Sequence, residues 1–158
     1  CEYLLPEKRR DRIMVSDKKQ YIIFRIDKDE YGADISKVTI IERYMNITRV
    51  PATPPYIKGV INLRGDIIPV MDLRTKFGMQ EKEAEEDTRI VIFSIDKTSF
   101  GVIVDAVVEV IQMDEARIES VSEIVSDKNL DYLSGVTKID SRLITIINIE
   151  KLIGDLLN

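Results

Sequence analysis

An internal repeat constrains the fold of this 158-residue chain more than any other feature. The segments 23–28 (Ile-Phe-Arg-Ile-Asp-Lys) and 92–97 (Ile-Phe-Ser-Ile-Asp-Lys) align without gaps. Further correspondences follow in the same order and pair Tyr31 with Phe100, Ile35 with Val104, Gly59 with Gly135 and Ile67 with Leu143. Ordered agreement across two separated segments favours duplication over a chance similarity of two β-hairpins. The sequence therefore predicts one supersecondary unit that is used twice.

A β-hairpin with the turn Arg-Gly-Asp at 64–66 is predicted within the first repeat. The apolar runs 60–63 and 67–71 have the length and the Ile and Val content of strands. A three-residue loop with a central glycine is typical of a hairpin. Because alternate residues of a strand share a face, a hairpin that buries its other face displays Asn62 and Arg64 near its tip.

Short strands separated by turn signals run through the whole chain, which indicates an all-β fold of small sandwiches or barrels. Together with the repeat, they predict two similar five-stranded barrels that pack together, closed by an amphipathic C-terminal helix over 149–157. The domain boundaries that follow are a flexible N-terminal tail at 1–19, a first barrel at 20–78, an acidic connector at 79–88 and a second barrel with the helix at 89–158.

The composition excludes most catalytic and metal-binding chemistry. The chain has no histidine and a single cysteine, Cys1. Histidine is the usual general base and the commonest metal ligand, and without it no Ser-His or Cys-His nucleophile pair can be assembled. No glycine-rich phosphate loop of the GxxxxGK type occurs either. We therefore predict a protein that is not an enzyme and holds no metal and no cofactor, although chemistry based on carboxylates or lysines stays open.

The charge and hydropathy patterns favour a cytoplasmic protein without nucleic-acid partners. The formal net charge is −5 and the pI is about 4.9, whereas phosphate binding needs a basic surface. No run approaches the ~18 apolar residues of a membrane span, so direct membrane insertion is not expected. The lone cysteine fits a reducing compartment. A small barrel that binds single-stranded nucleic acid is the alternative from another class, and it would need a basic groove with exposed aromatic rings.

The segment 62–65 (Asn-Leu-Arg-Gly) and the strand 68–74 (Ile-Pro-Val-Met-Asp-Leu-Arg) resemble the signature of the CheW family of bacterial chemotaxis coupling proteins. The similarity covers roughly 20–152 and includes 31–35 and 133–136. The resemblance implies that the two barrels are SH3-like.

The resemblance also implies a function. Members of this family are non-enzymatic adaptors that couple the cytoplasmic tips of methyl-accepting chemoreceptors to the histidine kinase CheA, and they are recruited to membrane receptor arrays. The kinase contact is expected to be barrel-to-barrel, because the regulatory domain of CheA itself resembles CheW. The same module occurs within the kinase and fused to receiver domains, so a regulatory domain excised from such a larger protein is the alternative.

The repeat provides an internal control for the role of Arg64. A residue that the fold requires should recur in both copies, as the aligned glycines do, whereas Arg64 corresponds to Asp140. Arginine is frequent at interface hot spots because its planar fork donates bidentate hydrogen bonds and stacks on aromatic rings. We therefore predict partner binding by Arg64 with its neighbours Asn62 and Gly65, against the alternative of a solvated arginine.

Four apolar residues become candidates for partner contact through the resemblance. Val38 and Ile41 match apolar family positions near the groove between the halves, where a receptor helix is expected. Val104 and Val107 carry the same expectation in the second copy, and a plain core role is an equally open interpretation of all four. Many relatives have a glutamate that can pair with the signature arginine. Ile40 takes that position here, so no acid is assigned as the partner of the arginine.

The missing histidine and the missing phosphate loop generate the first testable prediction. Purified protein should contain no stoichiometric metal ion or nucleotide, because the side chains and backbone loops that hold them are lacking. Elemental analysis and a nucleotide assay on the denatured protein check this expectation. Zinc or nucleotide at one equivalent per chain would contradict the adaptor interpretation.

Overall fold

The computed structural model describes residues 18–120 and 132–157. The strands are β1 (Lys18–Ile26), β2 (Asp29–Asp34), β3 (Val38–Arg43), β4 (Ile57–Leu63), β5 (Asp66–Asp72), β6 (Arg89–Ile95), β7 (Thr98–Val104), β8 (Ala106–Asp114), β9 (Leu133–Ile139) and β10 (Arg142–Ile147). The α-helices are α1 (Leu73–Lys76) and α2 (Ile149–Leu157), and single 3-10 turns follow β2 and β8. The predicted tail at 1–19 lies outside the described residues except for Lys18 and Lys19, which belong to β1.

The strands form two five-stranded sheets. One sheet, barrel A, has the strand order β8-β1-β2-β10-β9, and the other, barrel B, has the order β3-β6-β7-β5-β4. Beyond β3 the chain pairs at Thr48 with Val60 of β4, and beyond β8 it pairs at Glu119 with Val136 of β9. These bridges join the two edges of each sheet. The all-β prediction of two five-stranded units is confirmed.

The two repeats exchange strands with each other. Repeat one (β1–β5) supplies β1 and β2 to barrel A and β3 to β5 to barrel B, and repeat two (β6–β10) supplies its strands the other way round. The predicted segments 20–78 and 89–158 therefore correspond to the repeats. The expectation that each contiguous segment forms its own barrel differs from the observed pairing. Local hydrophobic patterns indicate where a strand lies, but they do not select the strand that pairs with it.

Equivalent glycines sit inside the two barrels. Gly32 of β2 and Gly101 of β7 are buried where an antiparallel and a parallel neighbour strand converge. A Cβ atom on Gly32 would lie 3.0 Å from Cδ1 of Ile146, and one on Gly101 would lie 3.0 Å from Cγ2 of Ile90. A side chain at either position would have to displace these methyl groups by a few tenths of an ångström, and this tight packing favours glycine in both repeats.

Three apolar clusters form the core. Barrel A is filled by Tyr21, Ile23, Met113, Ile144 and Ile146. Barrel B is filled by Ile61, Ile68, Val70, Ile90, Ile92 and Ile103. The central cluster lies between the barrels and includes Ile22, Phe24, Ile26, Met71, Leu73, Val91, Phe93, Phe100, Val102, Val104, Tyr132 and Ile147. Because successive residues of a strand face opposite sides, β1 serves both barrel A and the central cluster, and its residues 21–24 are therefore apolar without interruption.

The predicted C-terminal helix is confirmed as α2. Its residues Ile149, Leu152 and Ile153 are buried in the central cluster, as the helical spacing of apolar residues predicted. Asn148 caps the helix, since its Oδ1 accepts a hydrogen bond of 3.1 Å from the backbone N–H of Lys151.

The acidic connector between the repeats runs along the surface. Residues 80–87 are exposed and contain no strand. Its two ends are fastened: Arg74 Nε donates to the carbonyl oxygen of Gln80 at 3.0 Å, and the backbone N–H of Glu85 donates to Thr88 Oγ1 at 2.8 Å. The stretch between these two fastenings contributes nothing to either barrel.

Gly59 and Gly135 lie where the closing bridges pass over the strands. A Cβ atom on Gly59 would overlap the carbonyl oxygen of Thr48, and one on Gly135 would lie 2.5 Å from the carbonyl oxygen of Glu119. Thr48 and Val60 exchange two backbone hydrogen bonds of 2.8 Å directly beside Gly59. Barrel closure thus brings two backbones into contact, and this contact is the physical reason for the recurring glycine.

This contact predicts the effect of adding one methyl group. Gly59→Ala should lower the free energy of unfolding by about 3 kcal/mol, because the methyl group displaces the bridge and its hydrogen bonds. Gly65→Ala is the matched control, since Gly65 has a φ of +90° but open space around it. Its loss should be about 1 kcal/mol, from backbone conformation alone. Urea denaturation measures both, and a smaller loss for Gly59→Ala than for Gly65→Ala would contradict the closure argument.

Candidate partner-binding surface

The hairpin of β4 and β5 ends in a two-residue turn formed by Arg64 and Gly65. Leu63 pairs with Asp66 directly before and after it. Both turn residues have positive φ angles, +54° for Arg64 and +90° for Gly65, as type I′ hairpin turns require. The predicted three-residue loop is one residue too long, because Asp66 already pairs within β5.

Asn62 stabilises this turn. Its side-chain Oδ1 accepts a hydrogen bond of 3.1 Å from the backbone N–H of Gly65. Both residues are exposed, and no heavy atom lies within 4 Å of a Cβ placed on Gly65. Asn62 therefore has a local structural role that the sequence analysis did not assign, while the open space over Gly65 leaves the backbone of the turn accessible.

The turn conformation does not explain the arginine. The equivalent turn of barrel A carries Asp140, whose φ of +56° is close to the +54° of Arg64. Glycine, asparagine and aspartate adopt this left-handed conformation most readily, and long side chains are disfavoured in it. Arg64 thus occupies its position against the local backbone preference. The backbone of the turn therefore gives no reason for an arginine at this position.

The two hairpin tips use their arginines differently. The side chain of Arg64 is exposed, and within the described residues it forms no hydrogen bond and no ion pair. Beside the other tip, Arg142 donates from Nε to Glu30 at 2.8 Å and from Nη1 to Glu109 at 2.7 Å. These hydrogen bonds, the one to Glu30 first, raise the pKa of the Arg142 guanidinium. Barrel A binds its arginine internally, whereas barrel B leaves its own available.

The groups that surround Arg142 are replaced in barrel B, where Asp66 aligns with Arg142 itself and Ser99 aligns with Glu30. Ile40 of β3 lies opposite Ile92, as Glu109 of β8 lies opposite Ile23, and the same register shift precedes both. Ile40 packs against the apolar cluster of barrel B. Strand β3 therefore offers an alkyl group at the place where β8 offers a carboxylate.

An exposed aliphatic residue, which the sequence analysis did not select, lies beside these groups. Ile67 is directly opposite Asn62, and the residue is 64% exposed. Its counterpart Leu143 is also 64% exposed. The available signal was the pair of consecutive isoleucines at the start of β5, since one of two neighbours in a half-buried strand must face solvent. We name Asn62, Arg64, Gly65 and Ile67 the tip surface.

The structure separates the four apolar candidates for receptor contact. Val104 is fully buried in the central cluster, which favours the core interpretation for this residue. Val38 and Val107 are partly buried and pack against the same cluster. Ile41 is 40% exposed and its counterpart Val110 is 48% exposed. The sequence analysis selected Ile41 and missed Val110, although the repeat aligns the two.

A cavity of about 250 Å³ beside barrel A shows no arrangement for catalysis. Its charged groups pair with one another: Lys19 with Glu115 at 2.5 Å and Lys37 with Glu150 at 3.0 Å. Burial raises the pKa of the Tyr21 phenol, which also lines the cavity. Within residues 18–120 and 132–157, no three metal-ligating side chains come together. None of the helices in this part of the chain is long and apolar enough to cross a bilayer.

Comparison with known proteins identifies the family to which this chain is similar. The family model of the CheW-like domain matches residues 20–157. The chain is 38% identical to chemotaxis protein CheW of Bacillus subtilis, with 82% of this chain and 83% of that protein covered. It is 36% identical to chemotaxis protein CheW of Klebsiella aerogenes, with coverages of 86% and 82%.

A solved structure agrees with this result. The scaffolding protein TtCheW from Thermoanaerobacter tengcongensis has a TM-score of 0.74 and 40% sequence identity, with 82% of this chain and 88% of that chain covered. The predicted family resemblance is thus confirmed, and the assignment to a family of chemotaxis scaffolds supports the prediction that the chain is not an enzyme. A family match over nearly all described residues, with the same two-barrel fold, shows that this chain belongs to the CheW-like family of chemotaxis adaptors.

Proposed function

We propose that this chain is a cytoplasmic adaptor that couples methyl-accepting chemoreceptors to the histidine kinase CheA at membrane receptor arrays. Membership in the CheW-like family supports the proposal. The observation that carries it is the exposed side chain of Arg64 in the tip surface. An adaptor binds other proteins through side chains that its own fold does not use. Arg64 is exposed, has no partner within the described residues and is disfavoured by its own turn conformation.

The tip surface suits a partner that presents a carboxylate beside an apolar side chain. A guanidinium offers five N–H donors in a planar fork, which matches the two oxygens of a carboxylate. Arg64 would give up only water on binding, whereas Arg142 would first have to break its hydrogen bonds to Glu30 and Glu109. Ile67 adds an exposed aliphatic group next to Asn62. An arginine beside an apolar contact is a common composition of interface hot spots.

We assign the receptor contact to the tip surface together with the exposed aliphatic residues Ile41 and Val110, flanked by the partly buried Val38 and Val107. A receptor helix can use such residues as apolar anchors, in the way that amphipathic helices bind grooves. We assign the kinase contact to barrel-to-barrel packing against the regulatory domain of CheA. Leu143, exposed at the tip of barrel A, is the apolar anchor that we propose for this second contact.

Reversing the charge of Arg64 tests the proposal. Arg64→Asp places in the first turn the residue that the second already has at the same φ angle, so stability should change by less than ~1 kcal/mol. Binding of a receptor-tip fragment or of the CheA regulatory domain should weaken by at least ~2 kcal/mol, about thirtyfold, because a charged contact becomes repulsive. Thermal melts and calorimetric titrations of the same preparation measure both quantities.

Arg142→Ala is the matched control for this experiment. It removes an arginine beside the equivalent tip, but one that is bound internally to Glu30 and Glu109. This variant should lower the melting temperature more than Arg64→Asp does and should leave the affinity of the partner at the tip surface unchanged. A large drop in melting temperature for Arg64→Asp would make Arg64 structural. Unchanged affinity for both partners would mean that Arg64 is a solvent-exposed residue that contacts neither of them.

Asn62→Ala separates the turn from the contact. The variant loses the hydrogen bond to the Gly65 backbone, so the free energy of unfolding should fall by about 1 kcal/mol. Its effect on partner affinity should be smaller than that of Arg64→Asp, because only neutral hydrogen bonds are removed. Urea denaturation and the same titrations check both values. An affinity loss larger than that of Arg64→Asp would move the centre of the contact from the arginine to the asparagine.

A further inference from the structure

Many of the backbone and side-chain contacts in this chain join repeat one to repeat two. Of the eight strand ladders in the described residues, four join repeat one to repeat two: β1 with β8, β2 with β10, β3 with β6 and β5 with β7. Neither barrel can form from a single repeat, since barrel A would lack β8 to β10 and barrel B would lack β6 and β7.

Side chains follow the same pattern. Arg74 of repeat one pairs with Asp105 of repeat two at 2.7 Å, and the side chains of both residues are nearly buried. The pairs Arg142 with Glu30, Lys37 with Glu150 and Lys19 with Glu115 also join the two repeats. The central cluster draws on both repeats as well, with Phe24 from repeat one and Phe93 from repeat two. Each repeat thus carries one half of a reciprocal interface.

Only one covalent segment, residues 77–88, links the described parts of the two repeats. It forms no strand, and its residues 80–87 are exposed. The ladders, ion pairs and buried rings that join the repeats therefore do not depend on whether the two repeats belong to the same polypeptide. They depend only on one repeat of each kind being present.

We infer that a second copy of this chain is a fitting partner through reciprocal exchange of repeats. In the resulting dimer, repeat one of each copy pairs with repeat two of the other, and two complete two-barrel units form. Every inter-repeat ladder and ion pair is restored, and only the path of the exposed residues 80–87 differs from that in the monomer. Exchange of an identical element between copies is a low-cost route to a two-fold dimer.

The connector decides between the monomer and the exchanged dimer. A short flexible connection gives its ends an effective concentration in the millimolar range, so the monomer dominates at micromolar protein. Exchange between copies therefore needs a chain concentration that is also in the millimolar range while the repeats are pairing. Conversion of the folded forms is slow, because four ladders and the central cluster must open together. An exchanged dimer that forms during refolding therefore persists on dilution.

The test uses the full chain with a protease site inserted between Glu83 and Ala84, in the exposed part of the connector. Isotopically heavy and light preparations are mixed in denaturant, refolded at ~1 mM and at ~1 μM, and diluted. Native mass spectrometry should show dimers from the first refolding, including heavy–light dimers, and monomers from the second. Cleavage of the connectors should convert the dimers into monomer-sized particles, some of which pair a heavy repeat one with a light repeat two.

Two results would overturn the inference. Refolding at ~1 mM could give native monomers only, or it could give dimers that remain dimers after cleavage, as an ordinary surface contact would. The monomer refolded at low concentration is the control for the association of the repeats. After its connector is cleaved, its two repeats should remain bound to each other. No receptor or kinase enters this experiment, so its outcome is independent of the proposed adaptor function.

Discussion

The burial of aromatic rings between the two barrels is the interaction on which the rest of the structure depends. Phe24, Phe93 and Phe100 are buried there and face away from the barrel interiors. Full burial of such a side chain contributes roughly 1.5–3 kcal/mol, and the cluster contains many more apolar groups. Because β1 and β6 are covered on both faces, each barrel is complete only when the other is packed against it. The mutual dependence of the two barrels follows from this double burial.

Helix α1 fixes the hairpin of the tip surface to barrel A. It begins at Leu73, directly after β5, and Phe77 at its end lies 5.1 Å from the ring of Tyr31 and stacks on Tyr132 at 5.9 Å. Arg74 on the same turn donates to Asp105 at 2.7 Å. The ring of Tyr132 and the carboxylate of Asp105, both from repeat two, thereby hold the end of a hairpin that belongs to repeat one. The orientation of the tip surface is set by contacts on both sides of the central cluster.

Much of the fold could be predicted from the sequence because the relevant signals are local. The apolar periods located most of the strands and α2, and the recurrence of Gly59 and Gly135 indicated that the fold requires glycine there. Strand exchange could not be predicted, since the pattern of β1 is the same whichever sheet it joins. Within the site, the comparison of Arg64 with Asp140 found the exposed arginine. The exposure of Ile67 was not predicted, because it depends on the register of β5. The burial of Val104 could not be predicted either, because it depends on packing between the barrels.

The common φ angle of Arg64 and Asp140 shows that the two hairpin tips are one backbone with different side chains. Fold and binding therefore place separate demands on this position. The barrel asks only for a residue that accepts the left-handed conformation, and any demand for a particular charge comes from outside the chain. Substitutions that accept this conformation can therefore change the charge of the hairpin tip while the fold is kept. The two repeats of this chain already illustrate this freedom, because one presents a cation and the other an anion on the same turn.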